Sequence, residues 1–266
     1  MKIISDYFNR QNFQLGTPRK QSPIKSGGAI CNDTFEKTNS IAFTSGIYKD
    51  FEHKNPLLPE LKVLDGVDKA FAERLTKHIN DFPPKWLNLL SKKGYKVIAA
   101  PSLLDAYISE KVFDPFVLKT EIQNPKGTLG VTYDNGAKGK KFFVFCDKPP
   151  YSDDYLKNIV NHEFSHGIVN SLGLDKNKQV IEILKQDVDE IKKRKKFQDL
   201  SKEELKMVSY YFFNPKAHLP ADEILADLLA WNNGGGCYGS GFIMGVKNPD
   251  IMKTLFPKLN SFLSQL

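Results

Sequence analysis

The stretch His162-Glu163-Phe164-Ser165-His166 decides the fold and the chemistry expected of this chain. Two histidines four residues apart on a helix project from the same face, and Glu163 lies one residue beyond His162. Neutral imidazoles can hold zinc while a coordination position stays open for water, and a carboxylate beside the metal can take a proton from that water. We therefore predict one zinc ion per chain, bound by His162 and His166, with Glu163 as the general base.

The residues around this stretch predict a helix at the centre of the domain. Val160, Phe164, Ser165 and Gly167 are all uncharged, as a helix packed on every side requires. The alternative is a buried helix with two structural histidines. That alternative places Glu163 among apolar neighbours without a metal, which is energetically costly.

A third protein ligand must come from another element, and two residues compete for the role. Glu223 opens a predicted helix in which Pro220 suits the first turn. Asp227 lies on the same face one turn later, where it can accept a hydrogen bond from a ligand histidine. His218 also has an acid four residues on, Asp222, but its position before the proline predicts a loop or a cap. The helix-face argument favours Glu223, with His218 as the alternative. The same residues also have a purely structural explanation, in which acids at a helix N-terminus complement the helix dipole.

Composition divides the chain into an arm and a domain. Up to about residue 55 the sequence is rich in Lys, Ser, Asn, Thr and Gly and has no sustained period, which predicts a polar, flexible N-terminal arm over residues 1–55. The length of 266 residues and the 41% hydrophobic content suit one good-sized core, so we predict a single catalytic domain over residues 56–266.

Hydrophobic periodicity predicts a short sheet followed by a mainly helical half. Strands are predicted at residues 96–100, 128–133 and 141–146, the last two joined by a hairpin loop. Helices are predicted at residues 67–82, 86–90, 153–172, 177–195, 201–213, 220–231 and 250–266. This order indicates an α+β fold with a small mixed sheet.

Charge and termini narrow the expected partners and compartment. The formal net charge is +7, and the densest basic run, residues 192–196, closes a predicted helix without interleaved aromatic residues, so we expect no nucleic-acid partner. We find no apolar stretch typical of a secretory signal or of a membrane span. The three cysteines, at positions 31, 146 and 237, form no disulfide or zinc pattern. We expect a cytoplasmic protein, or one exported without a cleaved signal peptide.

The two motifs together resemble the catalytic domain of anthrax lethal factor and the clostridial Pro-Pro endopeptidases. The resemblance is carried by His162-Glu163-Phe164-Ser165-His166-Gly167 and, 223 − 166 = 57 residues downstream, by Glu223-Ile224-Leu225-Ala226-Asp227-Leu228-Leu229. Further similarity lies in residues 84–98 and 255–259, so that coverage runs from about residue 57 to the end. The resemblance implies a zincin-like fold with a glutamate as third zinc ligand.

The resemblance also implies a tyrosine seven residues before the glutamate, which stabilises the oxyanion. Lys216 stands at that position, whereas Tyr211 lies seven residues before His218. We predict Tyr211 as the oxyanion helper with Tyr210 as its neighbour, and two core aromatics are the structural alternative. The resemblance further implies an edge strand that pairs with extended substrate, for which residues 141–146 are the candidate.

The predicted function is hydrolysis of peptide bonds in a protein or peptide substrate by a zinc endopeptidase. One alternative is a catalytically silent zincin-fold binding or inhibitory protein. Another is a non-catalytic basic adaptor in which the histidines are structural. The sequence does not predict the oligomeric state.

Overall fold

The computed structural model describes residues 59–112, 130–135, 139–147, 152–194, 198–213, 220–234 and 250–266. All of them belong to one compact unit, Ile47–Leu266, and the predicted arm over residues 1–55 lies outside the described residues. The strands are β1 (Glu60–Val63), β2 (Tyr95–Ala100), β3 (Gly130–Asn135) and β4 (Lys140–Cys146). The helices are α1 (Lys69–Asp81), α2 (Pro84–Lys92), α3 (Leu103–Ser109), α4 (Asp153–Leu172), α5 (Lys178–Lys193), α6 (Lys202–Phe213), α7 (Pro220–Asn232), α8 (Ile251–Leu255) and α9 (Pro257–Leu263).

The four strands form one mixed sheet in the order β1-β2-β4-β3. The pairs β1–β2 and β2–β4 are parallel, whereas β3 pairs with β4 in the antiparallel direction. A small sheet followed by a mainly helical half confirms the predicted α+β class. Parallel pairs need long connections, which explains why α1, α2 and α3 lie between strands of the sheet.

The two central strands bury both of their faces, as parallel strands in a covered sheet do. Val97 and Ala99 on β2, with Phe143 and Phe145 on β4, join the larger core beside α4. The alternate residues belong to a smaller core that includes residues of α3; they are Ile98, Ala100, Phe142, Val144 and Cys146. Side chains alternate between faces along a strand, so one register fixes both cores.

Helix α4 runs through the middle of the molecule and is buried at every residue from Ile159 to Val169. The helix begins after Ser152, whose side chain accepts a hydrogen bond from the backbone N–H of Tyr155 at 3.2 Å. It ends at Gly173, which adopts a left-handed conformation with φ of +62°. Both ends agree with the predicted helix over residues 153–172.

Phe164 fixes the rotation of α4 about its own axis. Its ring meets that of Phe143 at 4.7 Å, that of Phe82 at 5.2 Å and that of Phe145 at 6.1 Å. Such offset and edge-on aromatic contacts stabilise a core beyond the area that they bury. Because Phe164 is held against the sheet, His162 and His166 occupy a different side of the helix.

Three sequence predictions differ from the structure. The segment 250–266 forms two short helices rather than one, because a proline disfavours helical backbone at the residue before it, and Phe256 has φ of −125° and ψ of 60°. Residues 141–146 are not an edge, since β4 pairs with β2 on one side and β3 on the other. Strand β1 and helix α3 were not predicted. Among the described residues, we find no helix that is long and apolar enough to span a bilayer.

Candidate metal centre

Helices α4 and α7 bring three potential metal ligands together. His162, His166 and Glu223 each offer one ligand atom, and these atoms all lie within 4.8 Å of one another. The two helices run antiparallel, because the earlier histidine contacts the later acid and the later histidine contacts the earlier acid. These contacts are His162 with Asp227 and His166 with Asp222. The sequence predicted this grouping of two imidazoles with a downstream carboxylate.

The separations of the ligand atoms suit a tetrahedral ion. His162 Nε2 lies 3.0 Å from His166 Nε2, and Glu223 oxygens lie 3.5 Å from the first nitrogen and 3.7 Å from the second. Around a tetrahedral zinc, with ligand bonds of about 2.0–2.2 Å, neighbouring ligand atoms stand about 3.3–3.6 Å apart. The cluster therefore needs shifts of only a few tenths of an ångström to hold such an ion.

The outer nitrogen of each histidine contacts a carboxylate on α7. His162 Nδ1 lies 2.7 Å from Asp227 Oδ1, and His166 Nδ1 lies 3.1 Å from Asp222 Oδ2. Donation from Nδ1 selects the tautomer in which Nε2 carries a lone pair, and such contacts orient metal-binding histidines. Asp227 was predicted in this role, whereas Asp222 was considered only as the acid four residues after the alternative ligand His218.

Charge around the histidines favours a cation at their inner nitrogens. Burial lowers the pKa of His162, but the carboxylates of Asp227, Glu223 and Glu163 outweigh it, and the pKa is raised well above its ordinary value. Burial also lowers the pKa of His166, and the nearby Asp222 raises it on balance. The acids thus stabilise positive charge where the two imidazoles converge, whether it is carried by protons or by a metal ion.

A cleft of about 330 Å³ opens over this cluster. It is lined by Gly130, Val131, Thr132, His162, Glu163, His166, Asn170, Asp222 and Glu223. Glu163 therefore reaches the same cleft as the three potential ligands. Strand β3 forms one wall, and it is an edge of the described sheet because only β4 pairs with it there.

Tyr211 lies in the core beside Asp227. Its side chain is 2% exposed, and its hydroxyl donates to Asp227 Oδ2 and also contacts Met252 Sδ at 3.3 Å. Tyr211 therefore supports the carboxylate that contacts His162, and its predicted contact with a substrate oxygen is untested. Tyr210 is half-buried, and burial together with the charges of Glu223 and Asp227 raises its pKa to about 12. His218 lies outside the described residues.

Sequence reasoning missed two contacts at the site, Asp222 with His166 and Thr132 with Glu163. The first had a signal, because acids at positions 222, 223 and 227 occupy one side of a helix and can face two histidines one turn apart. The second had none, because it joins residues 31 positions apart on a strand and a helix whose packing is not written in any local pattern.

The fold and the site define an α+β protein in which an HExxH helix and an acidic helix form a potential metal centre. No protein-family model matches the sequence, and no curated protein shows significant similarity. Among solved structures, the chain is similar to the Pro-Pro endopeptidase from Paenibacillus alvei, with 14% sequence identity and a TM-score of 0.44 over 77% of this chain and 96% of that one. Similarity at this level does not assign the chain to that family.

Proposed function

We propose that this protein is a zinc-dependent endopeptidase with a zincin-like catalytic domain. The observation that carries the proposal is the convergence of His162 Nε2, His166 Nε2 and a Glu223 oxygen beside a cleft that also contains the Glu163 carboxylate. The two Nε2 atoms lie 3.0 Å apart, a separation that a shared proton or a bound metal ion can bridge. Two histidines and a glutamate are also a set that catalytic zinc sites use.

A zinc ion held by these residues would supply Lewis acidity, which makes a water nucleophilic near neutral pH and polarises the scissile carbonyl. Glu163 takes one proton from that water as the oxygen bonds to the carbonyl carbon. Protonated Glu163 then gives this proton to the amide nitrogen as the C–N bond breaks, so the products are an amine and a carboxylic acid, which releases the second proton of the water as it ionises. A zinc ion at their Nε2 atoms would keep His162 and His166 from taking up a second proton, while Asp227 and Asp222 accept from the outer nitrogens and orient the rings.

Strand β3 is the proposed site of substrate docking, in place of residues 141–146. Gly130, Val131 and Thr132 line the cleft, and the side of β3 away from β4 is not paired within the described sheet. An extended peptide could add to this edge through backbone hydrogen bonds and lie across the cluster. This mode holds the main chain of the substrate and leaves side-chain preference to the cleft walls.

Two tyrosines have separable roles in this proposal. Tyr211 acts through Asp227, because its hydroxyl donates to that carboxylate in the core. Tyr210 packs edge-on against Tyr211, with ring centroids 5.4 Å apart, and is half-buried, so it is the second candidate for hydrogen-bond donor to the oxyanion.

Metal content of purified variants tests the ligand set. Wild type and Glu163→Gln should each carry about one zinc per chain, whereas His166→Ala and Glu223→Ala should lose it. Glu182→Gln is the matched control, because Glu182 is an exposed residue of α5 that pairs only weakly with Lys185 at 4.0 Å. His218→Ala belongs in the same series. Loss of zinc in that variant together with retention in Glu223→Ala would make His218 the third ligand.

Cleavage of a peptide library, measured on the same preparations, tests the reaction. Wild type should cleave peptides internally and Glu163→Gln should not, although both contain zinc. A wild type with stoichiometric zinc and no cleavage at high protein concentration would indicate the silent binding protein instead. A wild type without zinc, whose thermal stability is unchanged by a chelator, would indicate the basic adaptor.

A further inference from the structure

Gly130 and Thr132, on one face of β3, lie against the Glu163 side chain. A Cβ atom added at Gly130 would lie 2.5 Å from Ile159 Cγ2 and 2.9 Å from Glu163 Cγ, closer than real Cβ atoms approach. Gly130 does not have a positive φ, so its backbone conformation does not require glycine. The glycine therefore provides space, and that space is occupied by Ile159 Cγ2 and by the stem of the Glu163 side chain.

Thr132 stands on the same face two residues later and reaches the other end of the Glu163 side chain. Its hydroxyl oxygen lies 2.7 Å from Glu163 Oε2 and 2.8 Å from the Glu163 backbone oxygen. The two positions of β3 thus enclose the carboxylate that lines the cleft, Gly130 at the stem and Thr132 at the tip.

The pair of contacts suits both protonation states of Glu163. A hydroxyl has one hydrogen and can also accept, so Thr132 donates to the carboxylate when Glu163 is ionised. When Glu163 carries a proton, the carboxylic acid can donate to Thr132 Oγ1, and the hydroxyl turns its hydrogen to the Glu163 backbone oxygen. Neither state leaves Oε2 without a partner.

We propose that Thr132 is a positioning residue for Glu163, which holds the carboxylate in one orientation beside the cleft. Its effect on catalysis rests on the proposed endopeptidase function, but its contact with the carboxylate does not. The alternative is that Thr132 only fastens β3 to α4 through the backbone oxygen. A structural fastening of that kind would not depend on the Glu163 side chain.

Three variants of the full-length protein separate these explanations. Thr132→Val keeps the branched shape and removes the hydroxyl, whereas Thr132→Ser keeps the hydroxyl and removes a methyl group. Thr76→Val on α1 is the matched control, because the Thr76 hydroxyl is buried and has no hydrogen-bond partner among the described residues. Zinc content and unfolding temperature are measured for each variant beside kcat and KM for a cleaved peptide.

We expect Thr132→Val to lower kcat about 10- to 100-fold, as loss of a hydrogen bond to a charged group implies, with KM changed by less than about twofold. Zinc content should stay at the wild-type level, Thr132→Ser should recover most of kcat, and Thr76→Val should resemble wild type. A loss confined to KM, or no recovery of kcat by serine, overturns the proposal.

A double-mutant cycle on the unfolding of the metal-free protein decides the contact without any catalysis. Thr132→Val should destabilise wild type more than it destabilises Glu163→Ala, because the carboxylate is already missing from the second protein. Equal destabilisation overturns the proposal. If wild type cleaves no peptide, the endopeptidase function fails, and this cycle alone then retains or rejects Thr132 as the residue that holds Glu163.

Discussion

Substituting Gly167 by alanine should destabilise the protein, although alanine is the better helix former. Gly167 follows His166 on α4 and faces the sheet. A Cβ atom there would lie 2.5 Å from Phe143 Cζ and 2.8 Å from Leu90 Cδ2. Both neighbours are fully buried. The added methyl group therefore cannot be accommodated by a side chain that moves into solvent.

The size of the effect follows from two opposing contributions. Overpacking a close-packed core costs about 1–3 kcal/mol. The upper end applies here because the Phe143 ring stacks on Tyr95 at 4.8 Å and meets Phe164 at 4.7 Å, so it has no room to retreat. Replacing glycine by alanine inside a helix stabilises the helix by about 0.5–1 kcal/mol. We expect a net loss of about 2 kcal/mol, or a fall in unfolding temperature of roughly 4–8 °C for a domain of this size.

Urea unfolding of the metal-free protein measures this difference without a contribution from zinc binding. Gly173→Ala is the control, because a Cβ atom added there would have no other atom within 4 Å, and its cost of about 1–2 kcal/mol comes only from positive φ. Leu90→Ala should shrink the cost of Gly167→Ala, since it removes one of the two close contacts, and should leave the cost of Gly173→Ala unchanged. A Gly167→Ala protein as stable as wild type would refute the close packing of α4 on the sheet.

Three further predictions concern buried polar groups. Burial raises the pKa of Asp187 above its ordinary value of 3.8, despite hydrogen bonds from two backbone N–H groups of α9. Wild type should therefore lose stability relative to Asp187→Asn as pH rises from about 4 through the raised pKa. Urea unfolding at several pH values measures this difference, and a flat or opposite trend would contradict it. Asp227→Ala should weaken zinc binding about 10- to 100-fold in a chelator competition, and Asp227→Asn should weaken it less because hydrogen bonding is kept. Tyr211→Phe should lower zinc affinity, whereas Tyr210→Phe should lower kcat with zinc affinity unchanged; a reversed pattern would exchange their proposed roles.

Elements with strong local signals could be predicted from the sequence, and the catalytic helix is the best example. Ser152 caps the first turn of this helix, two aspartates follow in that turn, and the helix ends at Gly173. Both ends are therefore determined by residues that act locally. The short elements could not be predicted in this way. Strand β1 has four residues and depends on parallel pairing with β2, in which Glu60 lies beside Lys96, 96 − 60 = 36 residues further along the chain.

The features of the candidate site also separate into those with a local sequence signal and those without one. His162, Glu163 and His166 are visible because their chemistry depends on helical spacing alone, and Glu223 with Asp227 is visible for the same reason. The contact of Thr132 with Glu163 and the edge position of β3 depend on which strands become neighbours. The hairpin pattern paired β3 with β4 correctly, but it could not tell that β2 would pair with the other side of β4 and leave β3 at the edge.

The two sides of α4 contribute differently to the geometry of the site. On the sheet side, Phe164 and Gly167 fix the rotation and the depth of the helix by contacts that are wholly apolar. On the other side, the contacts between acids and histidines can form with protons as well as with a metal ion, so they do not by themselves select the spacing that a metal needs. The core must therefore set the geometry that the ligands use. It follows that chelation should lower the free energy of unfolding, and with it the unfolding temperature, only by the contribution of metal binding. The metal-free protein should still unfold cooperatively.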